Sequence, residues 1–137
     1  PEVFDRAAEW LDTYFSGSEP DFTPPLRMRA AAFRRAVWEI LLTIPYGQIL
    51  TYGDVANRVA ARIGIPRMSA QAVGGAVAHN PISLIIPCHR VVGADGSLTG
   101  YAGGLQRKAR LLQLEKADMR CLFVPRRDGN HICLDRP

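Results

Sequence analysis

The first seventeen positions, "PEVFDRAAEWLDTYFSG", place Val3, Phe4, Ala7, Leu11, Tyr14 and Phe15 on one helical stripe. Gly17 follows, a residue suited to the left-handed turn that closes a helix, so the pattern predicts a packing helix. The stretch "SGSEPDFTPP" is polar and proline-rich, and Pro24 and Pro25 forbid helix across it; a connector and an internal boundary fall here. From about Arg29 to Thr43 the apolar positions Phe33, Ala36, Val37, Ile40 and Leu41 return to helical spacing, and "IPYGQ" then turns the chain. "TYGDVANRVAARIG" opens with Thr51 and Asp54 in the spacing of a capping box, directs Val55, Val59 and Ile63 inward, and stops at Gly64. After "IPR", Ser69 caps a further helix, "SAQAVGGAVAHN", which Asn80 and Pro81 end. Two short helices joined by a tight connection predict a helix-turn-helix.

Downstream, "ISLIIP" is a short run rich in β-branched residues and reads as a buried strand or extended segment. "GADGSLTGYAGG" is a glycine-rich loop with a turn at Asp95 and Gly96. "LQRKARLLQLEK" is helical through Leu105, Ala109, Leu112 and the aliphatic stem of Lys116, and "CLFVPRRDGNHICL" reads as two short strands around a turn. The sum is a mainly α chain with a small β component. One helix stands out for its small side chains: Ala70, Ala72, Gly74, Gly75, Ala76 and Ala78. Each glycine inside a helix costs about 1 kcal/mol relative to alanine, so something should approach closely. Another helix of the same fold and a nucleic-acid backbone both fit, and spacing alone tilts toward the helix.

At 137 residues, 47% of them hydrophobic, the chain suffices for one compact domain with its own core. Seventeen basic residues against 13 acidic ones give a formal charge of +4, a modest lean toward polyanionic partners. No apolar run approaches the roughly 20 residues that span a bilayer, and no charged start leads into an apolar signal segment. The expectation is a soluble intracellular protein. Cys88, Cys121 and Cys133 form neither an even disulfide set nor a Cys-x-x-Cys pair, which fits a reducing compartment and leaves at least one thiol free. Cys88 has His89 and Arg90 beside it, and a thiolate is stabilised by such neighbours. Consecutive side chains on extended backbone point to opposite sides, however, so adjacency does not imply contact. A buried structural cysteine stays open as the alternative.

The motifs "IPYGQILTYGDVA", "AVGGAVAHNP", "IPCHRVVG" and "GYAGGLQRKARLLQLE", in that order between about Phe33 and Glu115, resemble the active-site domain of the O6-alkylguanine-DNA alkyltransferases, also called methylated-DNA–protein-cysteine methyltransferases. The resemblance implies a winged-helix-like helix-turn-helix alkyltransferase domain over residues 26–120. Before it, residues 1–25 form a helix and connector where family members commonly carry a larger N-terminal domain; after it, residues 121–137 form a hairpin-like extension. It further implies that Cys88 takes the alkyl group from O6 of a guanine flipped out of the duplex, in a single turnover that consumes the protein, with O4-alkylthymine as an open second substrate. No cofactor and no metal are expected, because the thiolate is itself the acceptor.

By the same resemblance, His89 serves as a base through a water, one end of a water-linked relay to Glu115, which orients it as the third member of a triad does. Tyr52 lies near the flipped base and can donate a proton toward the purine. Asn80 braces the turn between recognition helix and reactive segment, and Tyr101, Ala102 and Gly103 line the base pocket. Gln71, Ala72, Gly74, Arg90 and Ser97 complete the substrate- and DNA-binding set. The small-residue helix would enter the minor groove of double-stranded DNA, about 6 Å wide, where only short side chains fit. The protein would act as a monomer, away from membranes, in bacterial cytoplasm or nucleoid, or in a eukaryotic nucleus.

One position departs from the family pattern: Gln71 stands where an arginine normally fills the gap left by the flipped base. Glutamine can hydrogen-bond the orphaned cytosine but brings no charge and less flat surface, so weaker binding or slower flipping is expected, with Arg67 a candidate electrostatic substitute. Two other readings compete. A non-catalytic alkyltransferase-like binder of alkylated DNA is opposed by Cys88, which such proteins usually replace. A helix-turn-helix transcription regulator accounts poorly for the small-residue helix and not at all for "PCHR".

Overall fold

The structure, a computed structural model, describes residues 2–26, 32–80, 82, 84–99, 101, 104–125 and 131–133, with backbone only at 124, 125 and 131–133. In chain order the elements are α1 (Glu2–Phe15), α2 (Ala32–Leu42), β1 (Leu50–Thr51), α3 (Tyr52–Ile63), α4 (Ala70–Ala78), a 3-10 turn (Cys88–Arg90), β2 (Val91–Val92), α5 (Leu105–Leu114), β3 (Phe123–Pro125) and β4 (His131–Cys133). The mainly helical reading with little sheet therefore holds.

Local chemistry accounts for the helix-turn-helix. Thr51 accepts from the Asp54 backbone N–H while the Asp54 carboxylate accepts from the Thr51 backbone N–H, both at 3.0 Å, closing a capping box at the start of α3. Gly64 ends α3 with φ +76°, in the left-handed region that favours glycine. Ser69 caps α4 by accepting from Ala72 N–H at 3.0 Å. Helices α2, α3 and α4 bury one apolar cluster, in which Val37, Leu41, Val55, Val59 and Val73 are fully enclosed, and the Trp38 indole donates to Ala76 O at 3.1 Å to lock α2 on α4. The Cys88 segment and Val91 pack against the same cluster. A second cluster, around Leu98, Ala109, Leu112 and Leu122, joins α5 to the loop after β2. Strand β1 pairs in parallel with β2, Leu50 opposite Val91 and Thr51 opposite Val92, and β3 pairs antiparallel with β4.

Four sequence expectations change. In α1 Tyr14 of the expected stripe is buried, but Val3, Phe4, Leu11 and Phe15 are exposed; Trp10, one turn before Tyr14 and outside that stripe, is buried beside it, and the two rings stack with centroids 5.2 Å apart. Their larger aromatic area and the buried acceptor that Tyr14 finds decide which face turns inward. Ile63 is exposed rather than inward, because α3 is at its last residue there. Lys116 lies beyond the end of α5 with φ +60°, solvent-exposed, and contributes no stem to the core. The described residues of "ISLIIP" form no regular strand: Leu84 has φ +76°, Ile86 N–H donates back to Ile82 O at 3.0 Å, and regular pairing begins only at Val91. β-Branched composition loses here to a tight turn whose backbone groups have partners close at hand. Arg29, Pro81, Ala102 and Gly103 lie outside the described residues, as does the side chain of Cys133.

Candidate active site

Cys88 opens the 3-10 turn, almost wholly buried, its N–H bonded to Ile86 O at 2.8 Å. Three residues per turn send consecutive side chains about 120° apart, so Cys88 and His89 diverge. The turn is positioned by Asn80, whose amide donates to Ile86 O at 2.8 Å and accepts from Ile82 N–H at 2.9 Å. One side chain thus fixes both ends of the loop that leads into the cysteine.

His89 faces the interior. Its Nε2 lies 2.6 Å from Glu115 Oε2 with both side chains fully buried, a direct contact of the kind that lets a third triad member orient the imidazole. Glu115, just past the end of α5, also accepts from Arg90 Nε at 2.7 Å and Gly47 N–H at 3.2 Å on Oε1, and from Arg90 Nη2 at 3.0 Å and the Tyr14 hydroxyl at 2.6 Å on Oε2. Burial alone would raise this carboxyl; the hydrogen bonds from His89, Arg90 and Tyr14 overcome it and hold the group at about 2. Burial is also the main reason that His89 is lowered, outweighing the pull of Glu115 toward the imidazolium. With Glu115 anionic at neutral pH, the short contact places a proton on His89 Nε2. Nδ1 is then the bare lone pair, and it is buried with no hydrogen-bond partner among the described residues.

Arg90 was expected among the DNA-binding residues. The structure instead buries it: Glu115 takes two of its donors and Ile44 O a third at 2.8 Å, and its guanidinium lies over the Tyr46 ring. Its charge balances Glu115 rather than a phosphate. Ser97 likewise belongs to a turn, its N–H bonded to Asp95 Oδ1 at 3.0 Å and its carbonyl accepting from Gly93 N–H. Gly96 in that turn has φ +92°, and a Cβ there would collide with Cys121 O.

On the other side of the cysteine, Tyr52 donates to Thr99 O at 2.7 Å, and Lys108 Nζ donates to the same oxygen at 2.7 Å. Burial, reinforced by the Cys88 charge and opposed by the Thr99 bond, pushes the Tyr52 phenol up to about 12, so it stays protonated as a donor. Tyr101 is raised by burial and by Cys88 in the same way. Lys108 is fully enclosed and lowered to about 8, chiefly by burial, with Cys88 acting in the opposite sense. A helix rich in Arg, Lys and Gln gave no sign of this; the only sequence clue is that Lys108 shares a helical face with Leu105 and Leu112.

Gln71 and Gly74 of α4 meet Tyr52 and Thr99 around an open cavity of about 400 Å³. Ala70, Gln71, Ala72, Gly75 and Ala78 are exposed, while Val73, Ala76 and Val77 face the core. A Cβ built on Gly74 or Gly75 would meet nothing within 4 Å. Helix packing among the described residues therefore does not explain these two glycines, since none of those residues needs their missing side chains.

Comparison with known proteins gives the family of the chain. Residues 32–117 match the family model described as the DNA binding domain of 6-O-methylguanine DNA methyltransferase. A methylated-DNA–protein-cysteine methyltransferase of Mycobacterium tuberculosis is 49% identical over 117 residues, covering 85% of this chain and 68% of its own. Among solved structures, M. tuberculosis OGT in complex with DNA superposes with a TM-score of 0.75 at 48% identity, over 82% of this chain and 67% of that one. Atl1 of S. pombe, in complex with damaged DNA containing O6-carboxymethylguanine, reaches 0.53 at 29% identity, over 76% of this chain and 90% of that one.

Proposed function

The chain belongs to the 6-O-methylguanine DNA methyltransferase family, and from that membership we propose that Cys88 is the acceptor, with His89, Glu115 and Tyr52 serving the transfer. The protein repairs DNA by moving an alkyl group from O6-alkylguanine onto its own cysteine. The thiol proton passes to His89 Nδ1 through a water; the Cys88 sulfur then attacks the alkyl carbon in line, forming the C–S bond as the C–O6 bond breaks. The electron pair released on O6 is neutralised by a proton, for which Tyr52, a phenol lining the cavity, is the donor once it swings from Thr99 O. The thioether is stable, so each chain acts once.

The observation that carries this assignment is the buried His89–Glu115 contact beside a buried cysteine, which fixes the imidazole tautomer with its free lone pair on Nδ1. The exposed small-residue face of α4 supports insertion into the minor groove, where side-chain bulk is excluded, and base flipping into the cavity beside Tyr52. A monomer suffices, since every proposed group comes from one chain. The likeness to Atl1 gives the binding-only alternative its footing, and Cys88 weighs against it. The test is to incubate the protein with duplex DNA containing O6-methylguanine and map the digest by mass spectrometry. One methyl group on the Cys88 peptide, at no more than one per chain, is expected; tight binding with an unmodified Cys88 would favour the alternative.

A further inference from the structure

Helix α1 lies outside the residues that match the family model, yet it reaches the centre of the site. Tyr14 is fully buried, and its hydroxyl donates to Glu115 Oε2 at 2.6 Å, the oxygen that His89 Nε2 also contacts at 2.6 Å. Its ring meets the His89 imidazole edge-on, centroids 6.4 Å apart, and is held from behind by the stacked Trp10. A hundred and one residues separate Tyr14 from Glu115 in the chain, so the bond exists only because α1 docks on Leu84, Leu111 and Leu114.

On the reading that Cys88 is the acceptor and His89 its base, we infer that Tyr14 is a positioning residue of the transfer reaction, setting through Glu115 how readily His89 takes a proton. The donors to one carboxylate oxygen share its electron density. Glu115 Oε2 serves three donors, Tyr14, His89 and Arg90. Each neutral or cationic donor withdraws charge from the oxygen and weakens its support for an imidazolium. The other ionisable groups that act on His89 or Glu115 are Arg90 from the 3-10 turn, Lys108 from α5 and Tyr46 from the turn after α2. None of them but Arg90 donates to that carboxylate, and Arg90 also neutralises it. Beside the Gly47 backbone N–H on Oε1 and His89 itself, Tyr14 is therefore the one uncharged side-chain donor to Glu115 among the described residues, and its removal leaves the charge balance intact while changing the strength of the His89–Glu115 bond.

Tyr14→Phe keeps the ring and its packing and deletes only the hydroxyl. Its Glu115 should hold the imidazolium more strongly, so the acid limb of the rate–pH profile for Cys88 methylation should move up by about one pH unit and transfer at neutral pH should slow several-fold. Duplex affinity should not change. Site-specific 3-fluorotyrosine at position 14 keeps the fold with a stronger donor and should move the limb the other way, so the role remains testable even if Tyr14→Phe folds poorly. Trp10→Phe, which thins the packing but keeps the hydroxyl, should lower Tm and leave the profile in place. An unmoved limb in both Tyr14 variants, or an equal shift in Trp10→Phe, overturns the inference. Parent protein that never methylates Cys88 would instead overturn the reading on which it rests.

Discussion

The His89–Glu115 region and the outer face of α4 are built in opposite ways. The first places His89, Arg90, Lys108 and Glu115 out of water, and donors from α1, the turn after α2 and the 3-10 turn converge on one carboxylate. The second removes side chains: Gly74 and Gly75 border open space, and the neighbouring exposed residues are alanines and one glutamine. Chemistry that needs a defined tautomer is secured by over-determined hydrogen bonding. An uncrowded outer face is secured by leaving side chains out. Substitutions should therefore separate the two regions, harming stability and chemistry together in one and harming only DNA engagement in the other.

The largest effect is expected from Glu115→Gln. The amide cannot balance Arg90, and an uncompensated buried guanidinium costs about 3–5 kcal/mol. It also lets His89 adopt the wrong tautomer, so methyl transfer should fall by about two orders of magnitude or more. Thermal melts and single-turnover rates check both. Next comes Gly75→Leu on α4. Helix propensity favours leucine by somewhat less than 1 kcal/mol, so Tm should rise slightly, while affinity for duplex DNA should drop about tenfold or more if this face enters the minor groove. A fall in Tm without loss of binding would dissolve the contrast.

How much of each region could be read from the chain follows from the range of its interactions. The caps at Thr51, Asp54, Gly64 and Ser69 are local, so spacing alone located both helices of the helix-turn-helix. The family motifs carried Cys88, His89, Glu115 and Asn80 into the right neighbourhood, but not the geometry. The Tyr14–Glu115 bond is long-range, and Lys108 has the sequence signature of a surface lysine; only the packed structure makes them partners of the site. The apolar stripe on α1 misled because Phe4, Leu11 and Phe15 outnumber Trp10, while burial follows the aromatic pair with a polar acceptor to reach. "ISLIIP" misled because its composition suits a strand that the left-handed Leu84 forbids.

A smaller effect belongs to acid. Glu115 is held at about 2 against an ordinary value of 4.5, so its contribution to stability is complete above the ordinary value and is lost as pH falls from there toward 2. Melts across that window should show a loss that Glu115→Gln abolishes. The smallest is expected from Gln71→Arg, which restores the family's usual residue on an exposed position beside the cavity. A gain of a few-fold in duplex affinity is anticipated, diminishing with added salt, and a transfer rate from duplex no faster than the parent's would remove the significance attached to this glutamine.

The most direct test compares two substrates in two variants: single-turnover methylation of Cys88 from O6-methylguanine in duplex DNA and from the free O6-methylguanine base, each measured for Gly75→Leu and Glu115→Gln against the parent. The expected result is that Gly75→Leu slows the duplex reaction alone and leaves the free-base reaction at the parent rate, whereas Glu115→Gln slows both by similar factors. Equal loss of both reactions in Gly75→Leu, or a free-base reaction untouched by Glu115→Gln, would contradict it.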